Sequence, residues 1–280
     1  MQLFKRISGS RTWLLIVIVM AVIIIGIIWG SLQFSGKNRT ITALQITMKP
    51  DTGNYFISKQ DVSDMVVKIS GNPIGKPLSK INLARMESIL RKWPYLEKVQ
   101  VFAGLDGVLK IQVVQRIPVL RVMNNSFETF FIDSTGTKIP YHPVPGIAPP
   151  DVIVANGNIT EKFNDSNKVH SKELTELLAV AKFIRNNSVW NAQFEQCYVD
   201  NYGDIILIPR IGKHSIVIGS SENLPQKMEN LRVFYEKGLR NIGWDTYSSI
   251  SLKFQDQVVA TRNAKQTEHK TKEHVQIPQH

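Results

Sequence analysis

Residues 13–32 carry neither a charge nor a carboxamide. The run reads Trp-Leu-Leu-Ile-Val-Ile-Val-Met-Ala-Val-Ile-Ile-Ile-Gly-Ile-Ile-Trp-Gly-Ser-Leu. At helical rise, about 20 residues cover the roughly 30 Å hydrocarbon core of a bilayer. A secretory signal has a shorter apolar region of about 7–15 residues and a small-residue cleavage site. Here Gln33-Phe-Ser-Gly-Lys37 follows, without an Ala-x-Ala pattern. Trp13 and Trp29 stand near the two ends, where indole rings favour the headgroup region. A buried core helix would not be apolar all round with Lys5, Arg6 and Arg11 on its flank. The spacing predicts an uncleaved membrane-spanning helix over 13–33. Lys5, Arg6 and Arg11 before it, against Lys37 and Arg39 after it, give a small positive-inside bias. Residues 1–12 are expected in the cytoplasm, and the bulk of the chain outside it. Gly26 and Gly30 have the Gly-x-x-x-Gly spacing of helix packing, a weak signal by itself.

About 245 residues follow, enough for one or two domains with real cores. The net charge of +11 is scattered. No Lys/Arg cluster interleaves with aromatics as a nucleic-acid platform requires. Attraction to anionic lipid or cell-wall polymer, or plain solubility, fits this charge better. The single cysteine, Cys197, excludes an internal disulfide and lies in an apolar stretch, as a small buried hydrophobe would.

The first folded unit is expected over 40–116. Ile41, Leu44 and Ile46 suggest a strand. Ser58-Lys-Gln-Asp61 resembles a capping box, and Val62, Met65, Val66 and Ile69 recur at helical spacing. Gly71 stops that helix. A second helix places Leu83, Met86, Leu90 and Trp93 on one face and ends at Pro94. Strands over 96–102 and 109–115 flank Leu105-Asp-Gly107, a hairpin signal. The order is β-α-α-β-β, a small sheet with two helices on one face.

The second unit is expected over 117–262. Strands read over 119–122, 129–132, 152–155, 197–199, 204–208, 215–218 and finally 249–261. Amphipathic helices read over 171–185 and 225–239, the second with Pro225 in its first turn and Met228, Leu231, Phe234 and Tyr235 inward. Residues 142–150 carry four prolines and read as an extended surface loop. Residues 263–280 are almost without apolar side chains and read as a disordered tail. The fold class is α+β: one transmembrane helix, a small β-α-α-β-β module, and a strand-rich mixed domain ending in an edge strand.

Catalytic chemistry does not assemble. None of the six histidines stands in metal-ligand spacing. There is no Gly-x-Ser-x-Gly elbow, penicillin-binding motif set or P-loop. Asp133 and Asp151 could be imagined as a carboxylate pair, but each stands at a turn or strand start. The Gly219-Ser-Ser221 step reads as a strand-to-helix loop. No enzyme activity, metal, cofactor or small-molecule substrate is expected, and binding is the stronger class of function.

Four local patterns carry a family resemblance. They are Leu90-Arg-Lys-Trp-Pro-Tyr-Leu-Glu-Lys-Val99, Leu109-Lys-Ile-Gln-Val-Val-Gln-Arg116 followed by Ile-Pro118-Val, Phe131-Ile-Asp133-Ser-Thr-Gly136-Thr-Lys-Ile-Pro140, and Ile216-Val-Ile-Gly219 followed by Lys227-Met-Glu-Asn-Leu231. With the terminal Ile250-Ser-Leu-Lys-Phe-Gln-Asp-Gln-Val-Val-Ala-Thr-Arg262, their order resembles the FtsQ/DivIB family of bacterial cell-division proteins. The small module resembles a POTRA (polypeptide-transport-associated) domain, and the larger one the family's β domain. The chain resembles a divergent member: Ala-Gly-Leu-Asp-Gly fills a hairpin where many members have Arg-x-x-Pro, and Arg116 replaces a frequently acidic residue.

The resemblance implies a non-enzymatic, membrane-anchored scaffold of the division machinery. It implies a place in the inner membrane, with the bulk of the chain periplasmic and enriched at the septum. Its implied role is to link early division proteins to septal peptidoglycan synthesis. Its implied partners are the small bitopic coiled-coil proteins FtsB (DivIC in other lineages) and FtsL. A terminal strand at a sheet edge can accept a partner strand by β-augmentation. Leu252, Lys253, Phe254, Val258, Val259 and Arg262 are the expected partner-binding residues, with Phe254 as hot spot. Strand alternation leaves open that Leu252 and Phe254 face the domain's own core. The outward Arg85, Glu87, Arg91 and Lys92 of the second helix are a second contact surface or a solvated face. The alternative is an anchored POTRA-type transport-associated or envelope sensor protein. That reading calls for an effector domain or a series of barrel-length strands.

Overall fold

A computed structural model describes residues 5–37, 39–50, 56–143, 149–254 and 257–263, with side chains of the first helix described over 13–29. Helix α1 (Lys5–Lys37) is continuous over 33 residues, and its side chains from Trp13 to Trp29 are exposed. Those 17 residues cover about 26 Å at helical rise. Among the described residues no helix is long and apolar enough to cross a membrane. The remainder of the apolar run, from Gly30 on, has no described side chains.

The chain divides into two compact units, parted between Gln115 and Arg116 except that Phe56 groups with the second, and α1 is counted with the first. The first contains β1 (Ala43–Lys49), α2 (Lys59–Ser70), α3 (Leu83–Arg91), β2 (Leu96–Ala103) and β3 (Val108–Gln115). The sheet order is β1-β3-β2, with β1 parallel and β2 antiparallel to the central β3. The Ser58 side chain accepts from Asp61 N–H, and the Asp61 carboxylate accepts from Ser58 N–H, a complete capping box that starts α2. Gly71 ends the helix at φ 67°, a left-handed value that costs glycine least. Asn82 caps α3 by accepting from Arg85 N–H. The helix stops at Arg91 rather than at Trp93, because Pro94 disfavours the helical conformation of the residue before it. Val62, Val66, Met86 and Leu90 pack with Val99, Leu109 and Ile111 as the core.

The second unit holds β4 (Pro118–Met123), β5 (Thr129–Asp133), β6 (Lys138–Pro140), β7 (Ile153–Gly157), α4 (Lys172–Arg185), α5 (Ser188–Gln193), β8 (Phe194–Val199), β9 (Ile205–Pro209), β10 (Ser215–Gly219), α6 (Leu224–Phe234), α7 (Arg240–Ile242), β11 (Tyr247–Ser251) and β12 (Val259–Arg262). Its nine strands are ordered β12-β11-β10-β9-β8-β7-β4-β5-β6. β4/β7, β7/β8 and β10/β11 pair in parallel; the others are antiparallel. Leu174, Leu177 and Ile184 of α4 and Met228 and Leu231 of α6 join strand residues in one apolar cluster. Cys197 is buried in that cluster, and burial pushes its thiol up to about 12, away from reactivity.

Three departures from the sequence reading have local causes. The expected single strand over 249–261 is two antiparallel strands, β11 and β12. Leu252 N–H continues the β10 pairing by donating to Val217 O at 2.8 Å, which draws that residue into the core before the chain turns back. The expected helix over 225–239 is α6, a π segment over Tyr235–Leu239, and α7, which leaves Phe234 and Tyr235 only partly buried. β6 and α5 are additional elements of three and six residues, too short to show a period. Residues 144–148 of the proline-rich stretch, and the tail from 264, lie outside the described residues.

Candidate partner-binding edge

β12 closes one end of the nine-stranded sheet, and β6 the other. Within β12 the side chains divide by face. Ala260, and Val258 just before the strand, pack against the core, while Val259 is 45 % exposed. Thr261 and Arg262 are exposed. The edge therefore offers one apolar side chain, one hydroxyl and one cation.

The loop leading into β12 separates three adjacent residues that the sequence treats alike. Leu252 is 2 % exposed and part of the core, so it supports the edge from beneath. Phe254 is 56 % exposed. Lys253 Nζ pairs with Asp204 Oδ2 at 2.5 Å, so its charge is already engaged. To reach Asp204 its stem crosses Gly219. There φ is +71°, and a Cβ would stand 3.1 Å from Lys253 Cγ. The glycine of the strand-Gly pattern thus leaves room for a lysine more than thirty positions later.

A groove of about 530 Å³ opens beside this loop, lined by Asn223, Gln226, Lys227 and Asn230 of the α6 region with Leu252 and Phe254. Lys227 Nζ donates to Ile218 O at 2.8 Å and Ser220 O at 2.9 Å. Partial burial lowers its pKa against the pull of Glu222, Glu176 and Asp204. It ties the first turn of α6 to the end of β10, while Leu231 of the same motif fills the core.

Asp133 and Asp151 have separate surroundings. Asp133 is buried and accepts from Arg116 Nη1 at 2.7 Å and from the N–H groups of Thr135 and Thr137. Burial pushes its pKa up, but these bonds outweigh it and hold the carboxyl below its ordinary value. Its work is to shape the β5–β6 turn. Asp151 is exposed, with Arg210 3.9 Å away. Among the described residues no group of three or more His, Cys, Asp or Glu side chains is placed to hold a metal ion. The expected membrane-helix residues Trp13, Gly26 and Trp29 lie on α1, with nothing within 4 Å of a Cβ at Gly26; at Gly30 only the backbone is described.

One cluster had no sequence signal. Lys138 Nζ meets Glu161 Oε1 at 2.8 Å with both side chains buried, and Glu161 also accepts from Ser171 N–H and pairs with His170. The partners are distant in sequence and come together only through the fold.

Residues 39–114 match a family model described as a POTRA-like domain. Residues 117–261 match one described as FtsQ/DivIB, C-terminal related, and this second match alone spans over half of the 280 residues. The chain belongs to the FtsQ/DivIB family. No curated protein matches it. FtsQ/DivIB membership gives a role as a cell-division scaffold acting through protein–protein interactions, in a family that is membrane-associated and non-enzymatic.

Proposed function

We propose that this FtsQ/DivIB protein is held in the inner membrane by residues 13–33, with the two folded units outside the cytoplasm and concentrated at the septum. It links early division proteins to the septal peptidoglycan-synthesis components. Its partners are bitopic coiled-coil proteins of the FtsB/DivIC and FtsL kinds, and at least one adds a strand to β12. The observation that carries this reading is the edge position of β12, with Val259 exposed along it and Phe254 exposed at its approach. Backbone bonds supply generic affinity in such an arrangement, and alternating side chains supply selection. Phe254, Val259 and Arg262 are the contact residues. Val258 and Leu252 set the strand's height against the core, and Lys253 fixes the loop through Asp204.

The test is copurification of the coiled-coil partner with the Phe254→Ala variant. Loss of capture with unchanged circular dichroism supports the site, and unchanged capture removes it. A fluorescent fusion separates the division role from the transport or sensor alternative. A mid-cell ring supports division, and uniform envelope fluorescence overturns it.

A further inference from the structure

The sheet of the first unit also ends in an edge strand, β2. Val99 and Val101 turn their side chains into the core, and backbone groups of both face α3. Val101 N–H donates to Glu87 Oε2 at 3.0 Å. Arg91 Nη2 donates to Val99 O at 3.4 Å and pairs with Glu87 Oε1 at 2.5 Å. Glu87 and Arg91 are four positions apart, so one face of α3 presents both.

This pair of bonds has a familiar form. A residue in a parallel strand accepts from the N–H one position beyond its neighbour and donates to the C=O one position before it. On β2 those two groups are the Val101 N–H and the Val99 C=O. The Glu87 carboxylate stands in for the carbonyl of such a residue, and the Arg91 guanidinium for its N–H. We infer that Glu87 and Arg91 are a built-in plug, occupying the place of one residue of a parallel strand and closing the β2 edge to strand addition by a second copy of the chain. An open edge here would be prone to pairing, since Phe102 is 40 % exposed along it. Among the described residues no helix side chain bonds the β12 backbone in this way, so β12, unlike β2, keeps an edge that a partner strand can join. That last step rests on the partner site proposed above; the closure of β2 does not.

The experiment uses the full chain in detergent micelles and needs no division partner, so its outcome is independent of the β12 reading. Residue-resolved hydrogen exchange compares Val101 with Val113 of the central strand. Sedimentation velocity reports self-association. Glu87→Ala should speed exchange at Val101 by about tenfold, the loss of roughly one hydrogen bond, with Val113 unchanged. Glu87→Ala combined with Arg91→Ala should self-associate at concentrations where the parent chain keeps its own state. Glu87→Gln, which retains the acceptor, should behave as the parent. Unchanged exchange at Val101 would overturn the plug. So would equal acceleration at Val101 and Val113, which marks a packing role only, or an unaltered association state of the double variant.

Discussion

Lys138 and Glu161 show how one pair of residues fixes a region of the second unit. Their side chains are 0 % and 1 % exposed, and a buried charge is tolerated only when its partner and its hydrogen bonds are in place. Lys138 Nζ also donates to Lys162 O at 2.5 Å, while Glu161 takes the N–H of Ser171, the cap residue of α4. β6 and the start of α4 are thus joined through one carboxylate. Lys138→Met leaves the buried Glu161 without its ammonium partner and should cost about 3–5 kcal/mol, read by urea denaturation of the second unit. Burial alone would raise the Glu161 pKa, but the bonds from Lys138 and Ser171 lower it below its ordinary value of 4.5. The folded state therefore favours the ionised form. Its stabilisation is complete above pH 4.5 and is lost as pH falls through the depressed folded value. In Glu161→Gln the denaturation midpoint should depend less steeply on pH below 4.5.

At the scale of elements, the β11–β12 hairpin depends on groups outside it. Gly219 in the left-handed region lets Lys253 cross to Asp204 and hold the loop before β12. Gly219→Val adds a strained backbone and displaces the lysine stem, and should cost about 1–3 kcal/mol, measured by thermal unfolding. Val259→Lys lies on the exposed side of the edge and should change stability by no more than about 0.5 kcal/mol. Its added charge blunts the edge, so capture of the coiled-coil partner should fall while the circular dichroism is unchanged.

At the scale of the molecule, the two units have separate cores, and α1 is a helix set apart by composition. Residues 39–263, without α1, should keep the denaturation midpoints of both units and lose membrane association, checked by flotation with lipid vesicles. Local signals were enough for the elements that rely on nearest neighbours. The Ser58–Asp61 box, the Gly71 stop, the Leu174–Ile184 stripe and the Gly107 hairpin are written in contiguous residues, and the order of the motifs was enough for the family. The break between β11 and β12 was not legible, because it is set by Leu252 bonding to a strand 35 positions earlier. Nor was the inward or outward choice at the edge: in sequence Leu252, Phe254 and Val259 are three apolar residues, and only the turn separates the buried one from the exposed two. The amino-acid sequence by itself determined the capped start and glycine stop of α2, the two-unit organisation and the family. Tertiary structure alone decided which strands are edges, and that Glu87 and Arg91 meet the backbone of one of them. Capping and periodicity act over a few residues. An edge exists only relative to the strands on its other side, which the chain supplies from far away.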